Sequence, residues 1–339
     1  MFTAHPQIDA FDPVWDDSCC ENDGLSQLEV GLRTVTFSSG PSLSVEIDSC
    51  QSGDDFLYEM RVYRGRMYSI RELSVDLSNA HPAPTTAQLD AWTAHMLKLI
   101  NLSTLVIRQS SALVSRLASH SYSGLACVTL SPSPAIWSFL ANHTQLREIH
   151  IKGRVSQSLL GPPPYAFSTL TFPELEILEG PPTLARAVIP RSKVHTVTLH
   201  MESDRAPAAP HDPTEIAFLA ASHATVTALK VYTPTWASPP LAHIAWAVPN
   251  LRALELRTDA PARVAELEAF VDAMRWAGGL WLLKHVRCLT LGTMAPVPSD
   301  ARCMSAAQCE VVKDRMVSSW PTLLNVELPQ AYQASRGKF

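Results

Sequence analysis

Charge is scarce in this chain: Asp, Glu, Lys and Arg make up 17% of its 339 residues, and the formal net charge is −5. That balance, 27 basic against 32 acidic residues, carries no phosphate-binding excess and gives no reason to expect a nucleic-acid partner. Hydrophobic residues reach 46%, yet no apolar run approaches the ~20 residues that span a bilayer. No secretory leader is expected either, because the N-terminus is acidic where a leader carries basic residues and an apolar stretch. The seven cysteines form no C-x-x-C pair and are odd in number, which argues against a disulfide framework and for a reducing compartment. These absences together predict an intracellular chain, of cytoplasm or nucleus, with no membrane contact. Glycine is sparse, 13 residues against 26 prolines. The prolines cluster in stretches such as Gly161-Pro-Pro-Pro164, Gly180-Pro-Pro182 and Pro239-Pro240, where they stiffen loops without removing donors from a sheet.

The usual signatures of chemistry are also missing. There is no G-x-S-x-G, no phosphate-binding G-x-x-x-x-G-K-[ST], no G-x-G-x-x-G and no H-E-x-x-H. The best metal candidate is His285-x-x-Cys288 with Cys303 and Cys309, but the gap between the two later cysteines is loose for structural zinc. No catalytic set, metal or cofactor is therefore expected. The alternative reading is an enzyme or zinc-dependent domain on an α/β sheet.

What the chain does have is a repeated spacing. Val248-Pro-Asn-Leu-Arg-Ala-Leu-Glu-Leu-Arg257 holds Leu251, Leu254 and Leu256 in an L-x-x-L-x-L pattern. Its last two apolar residues share one side of a strand, and the residues between them face the other way. The pattern recurs from positions 32, 70, 102, 125, 146, 194, 226, 286 and 323, with a weaker copy at Leu175-Glu-Ile-Leu178 whose last apolar position is Gly180. A single such strand cannot bury its apolar side, whereas parallel copies stacked beside one another bury a continuous core. The expected fold is a leucine-rich-repeat-like α/β solenoid, a curved parallel sheet with helices and loops on its outer face, in irregular repeats of 19–38 residues. A doubly wound sheet would need strands that are apolar on both faces. Here Thr34 and Thr36, Glu72 and Ser74, Thr196 and Thr198, and Glu255 and Arg257 interrupt the apolar positions.

Along the chain, residues 1–27 read as an acidic, disordered tail and residues 331–339 as a C-terminal tail. Between them 28–330 form the solenoid, with 28–75 a strand-rich N-terminal cap. In that cap, strands at 32–37, 43–48 and Phe56–Tyr63 are expected, the last two pairing as a hairpin. Residues 85–100 form the clearest helix, capped by Thr85 or Thr86, with Leu89, Trp92, Met96 and Leu99 as its apolar stripe. Shorter returning helices are predicted over 110–119, 134–142, 214–222, 239–247 and 304–319, and the longest over 262–283. Trp92, Trp137, Trp246, Trp276 and Trp320 fall in or beside these segments and are expected to fill the core.

The predicted concave face supplies the candidate binding residues: Glu72, Asp76, Arg108, Glu148, His150, Lys152, His200, Lys230, Tyr232, Glu255 and Arg257. Acids and bases alternate along it with Tyr, His and Arg as anchors, a mixture suited to a protein partner rather than to a phosphate backbone.

Four stretches carry a family likeness: Tyr68-Ser-Ile-Arg-Glu-Leu73, Phe172-Pro-Glu-Leu-Glu-Ile-Leu178, Val248-Pro-Asn-Leu-Arg-Ala-Leu254 and Trp320-Pro-Thr-Leu-Leu-Asn-Val326. In these the chain resembles the F-box/leucine-rich-repeat proteins, especially their divergent fungal set, over about residues 30–330. The resemblance implies a non-catalytic module whose repeat array holds a substrate protein for a cullin-RING ubiquitin ligase. An F-box, which would dock on the ligase adaptor, opens with Leu-Pro-x-Glu; that opening does not occur ahead of residue 30. The likeness therefore covers the recognition half.

Overall fold

The computed structural model describes residues 36–37, 43–152, 160–164, 167, 170–201, 214–221, 226–233, 241–258, 283–293, 306–320 and 322–328. Both tails and the helix expected over 262–283 fall wholly or almost wholly outside these residues.

Among the described residues, twelve strands form one sheet in chain order: β1 Thr36–Phe37, β2 Leu43–Ile47, β3 Ile70–Asp76, β4 Thr104–Arg108, β5 Cys127–Leu130, β6 Glu148–Ile151, β7 Ile177–Gly180, β8 Thr196–His200, β9 Ala228–Thr233, β10 Ala253–Thr258, β11 Cys288–Thr293 and β12 Asn325–Glu327. Every neighbouring pair from β2 to β12 is parallel, and β1 alone runs antiparallel to its neighbour. A doubly wound sheet reverses its strand order at a switch point; this one never does. It is a leucine-rich-repeat-like solenoid.

The ten copies of the apolar pattern from position 70 onward become β3 to β12. Their final pairs, such as Leu105 and Ile107, Ile149 and Ile151, and Leu254 and Leu256, are buried in one core. A main-chain device holds the register. The residue just before each of β4 to β11 accepts two amide protons from the next layer: Ala126 O takes them from Arg147 (2.8 Å) and Glu148 (3.0 Å), Arg252 O from Arg287 (2.8 Å) and Cys288 (3.2 Å). Three residues before seven of the leading apolar positions stands another buried ring or apolar side chain. Leu99, Tyr122, His143, Phe172, Val248, Leu283 and Trp320 each receive an amide hydrogen bond on the carbonyl from the residue three further on. The weak copy is tightly packed: a Cβ at Gly180 would lie 2.9 Å from Leu184 Cδ2 and 3.4 Å from Ile151 Cβ, so a side chain there requires Leu184 to shift.

The N-terminal cap differs from expectation in two ways. The copy at position 32 is not a parallel repeat: its described part, Thr36–Phe37, pairs antiparallel with β2. The Phe56–Tyr63 strand is absent, because Cys50–Val62 is a helix, α1. Phe56, Tyr58, Met60 and Val62 alternate like a strand, but Gly53, Phe56, Leu57 and Met60 also recur at helical spacing, and these four are buried whereas Tyr58 and Val62 are exposed. Ser49 decides between the two. Its hydroxyl accepts from Ser52 N–H (3.2 Å) while Ser52 Oγ accepts from Ser49 N–H (2.9 Å), a reciprocal capping box. The segment is thus the crossover that parallel pairing of β2 with β3 requires, and no hairpin joins 43–48 to 56–63.

Helix α2, Thr86–Met96, matches its predicted cap and stripe: Thr85 and Gln88 form a second capping box, and Leu89, Trp92, Met96 and Leu99 are buried. Further helices Ser111–Leu117, Ile136–Ala141, Leu241–Ala247 and Ala306–Ser319 return the chain where the pattern places them. Among the tryptophans, Trp92, Trp137 and Trp320 are buried, while Trp246 is 69% exposed and fills no core; Trp276 lies outside the described residues.

The α1–α2 contact is close. A Cβ on Gly53 would lie 2.1 Å from Trp92 Cζ2. Gly53→Ala is expected to cost about 1–3 kcal/mol through overpacking. Gly65→Ala, with nothing within 4 Å, should be close to neutral. Urea unfolding of the two variants checks this, and equal midpoints would refute the close fit.

Candidate functional site: the polar face of the sheet

Parallel register arranges the outward side chains in rows. Ser74, Val106, Thr129, His150, Glu179, Thr198, Lys230, Glu255, Thr290 and Glu327 share the middle row. Glu72, Thr104, Cys127, Glu148, Ile177 and Thr196 lie in the row before it. His200, Tyr232 and Arg257 lie in the row after it, over adjoining strands.

At the centre stands Glu179 on β7, a residue the sequence reading did not single out. Its Oε2 accepts from His150 Nδ1 at 2.8 Å and lies 3.7 Å from Lys152 Nζ. Its Oε1 lies 3.1 Å from His200 Nε2. On its other nitrogen, His150 Nε2 is 3.3 Å from Glu148 Oε2, and the Cys127 thiol donates to the same oxygen at 3.6 Å. Contact with the Cys127 sulfur and hydrogen bonds to Glu179 and Glu148 outweigh burial and push His150 up to about 10. Burial alone would raise Glu179, but His150, His200 and Lys152 overcome it and hold the carboxyl well below the usual carboxylate range.

The network continues towards β10. His200 stacks on Tyr232 with ring centroids 4.7 Å apart. Burial, then the charge of Glu255, raises the Tyr232 hydroxyl. Lys230 Nζ meets Glu255 Oε2 at 3.0 Å, and Arg257 Nε pairs with the other oxygen of Glu255.

Eight of the eleven candidate residues therefore fall in one continuous patch over β6 to β10: Glu148, His150, Lys152, His200, Lys230, Tyr232, Glu255 and Arg257. The other three stand apart. Asp76 and Arg108 pair with each other at 3.4 Å at the ends of β3 and β4, and Glu72 is exposed nearer the N-terminal edge. Burial would raise the Asp76 carboxyl, but hydrogen bonds from Ser78 and the Arg108 charge lower it. The earlier metal candidate does not assemble among the described residues: His285 and Cys288 are exposed, and Cys303 and the Cys309 side chain lie outside them.

The chain aligns with a solved leucine-rich-repeat-containing protein, LegL7 from Legionella pneumophila. Identity is 14% and the TM-score 0.40, over 84% of this chain and 90% of that one. No protein-family model matches the chain, and no curated protein does. Among the described residues no helix is long and apolar enough to cross a membrane.

Proposed function

We propose that the patch over β6 to β10 is a protein-binding surface and that the chain is a non-catalytic interaction module. The observation that carries this reading is the continuity of the patch: two carboxylates, Glu179 and Glu255, each hold cationic side chains in place, with Tyr232 between the two groups. Side chains already fixed by neighbours lose little further freedom on docking, and Tyr and Arg are the commonest anchors of protein interfaces. The mixture of signs fits a protein epitope with its own acids and bases. Following the F-box/leucine-rich-repeat resemblance, the partner is a substrate protein, and the module is the recognition part of a ubiquitin-ligase receptor.

Capture from a cell lysate by wild-type protein and by a Lys152→Glu, Lys230→Glu, Arg257→Glu variant tests the surface. A control variant carries Lys98→Glu and Arg315→Glu, both exposed and away from the sheet strands. Proteins held by wild type and control should fall at least about tenfold on the face variant, about 1.4 kcal/mol in affinity. Equal capture by all three removes the face from consideration. A cullin and its adaptor among the captured proteins supports the ligase role; their absence leaves docking without it.

A further inference from the structure

We propose that Cys127, Glu148 and His150 form a zinc site on the same sheet face, with Glu179 as the carboxylate that orients the histidine. Cys127 and Glu148 are partners in register on β5 and β6, and His150 follows two residues after Glu148 on the same side of its strand. The thiol sulfur, one carboxylate oxygen and one imidazole nitrogen all lie within 4.8 Å of one another.

Two edges of this triangle already have the size a metal demands. Tetrahedral zinc, with bonds of about 2.3 Å to sulfur and about 2.0 Å to nitrogen or oxygen, sets sulfur and oxygen about 3.5 Å apart and nitrogen and oxygen about 3.3 Å apart. Here Cys127 Sγ is 3.6 Å from Glu148 Oε2, and His150 Nε2 is 3.3 Å from the same oxygen. Zinc would take the place of the protons shared along these two edges.

The outer shell is also in place. A metal-bound histidine commonly donates its other N–H to a carboxylate, which fixes its tautomer and ring orientation. His150 Nδ1 does so to Glu179 at 2.8 Å, and Glu179 is itself held by His200 at 3.1 Å. A thiolate, an imidazole and a carboxylate suit zinc, whereas calcium and magnesium take oxygen ligands. Three protein ligands leave a fourth position for water or for a donor brought by another molecule. The site does not depend on the protein-docking reading: a chain that captures no protein can still load metal.

The test uses the full chain, stripped with a chelator and then titrated with zinc, and separately with cobalt as a spectroscopic substitute. Wild type should hold about one zinc per chain through gel filtration, and cobalt should give a thiolate-to-metal charge-transfer band. Cys127→Ser and His150→Ala should lose the metal, and Cys127→Ser should lose the band. Cys288→Ser, at an exposed cysteine of β11, should keep both. Glu179→Gln should weaken zinc about 10–100-fold while the band persists at saturating cobalt. Far-UV circular dichroism verifies folding, and Cys127→Ser is a change small enough to decide the matter should His150→Ala unfold. Failure of wild type to retain zinc, or an unchanged cobalt spectrum in Cys127→Ser, overturns the site.

Discussion

Replacing Trp92 by alanine is expected to remove about 3–5 kcal/mol of unfolding free energy. The indole is fully buried between α1 and α2, and its Nε1–H points to Asp54 Oδ1 at 3.4 Å. Its ring covers Gly53 so closely that a Cβ at that position would clash with it. The loss is therefore both transfer free energy and a cavity at the first layer of the array. Gly53→Ala should cost less in the Trp92→Ala background than in wild type, because the cavity admits the added methyl. Trp246→Ala supplies the contrast, since a side chain 69% exposed should change stability by no more than about 0.5 kcal/mol. Urea unfolding of the four variants measures all of this, and additive costs for Trp92→Ala and Gly53→Ala would refute the interlock.

Glu179→Lys is the second large change, expected to cost about 2–4 kcal/mol. The carboxylate, 15% exposed, is the common anion for His150, His200 and Lys152. A lysine there removes their partner and adds a like charge to the same pocket of side chains. Glu72→Lys, at an exposed position of β3, should stay within about 0.5 kcal/mol of wild type. Thermal unfolding of the two at neutral pH separates them; equal melting temperatures would show that the Glu179 contacts contribute nothing to the fold.

The sheet was legible because its apolar spacing has a single geometric reading. Positions two apart on ten strands share a side, and a solenoid is the arrangement that lets each strand use its neighbour's wall. Helix α2 was legible because its cap and its stripe agree. Helix α1 was not: Phe56, Tyr58, Met60 and Val62 alternate while Gly53, Phe56, Leu57 and Met60 also recur at helical spacing, and Ser49 with Ser52 decides for the helix. Trp246 shows the limit of residue type as a guide, since a tryptophan in a returning helix can face either way. Glu179 was hidden for a different reason. The copy at Leu175 ends in Gly180, and a pattern that lacks its last apolar residue does not mark the charged residue beside it as part of a strand. Glu179 stands in the same column as His150, Thr198, Lys230 and Glu255, one place before Gly180.

The paired amide bonds ahead of β4 to β11 involve only backbone atoms, and every residue type but proline supplies them. Alignment of one layer on the next thus owes nothing to what the outward side chains are. Such a frame leaves the outward positions outside the Glu179 and Glu255 networks free to change what the surface recognises while the skeleton stays the same.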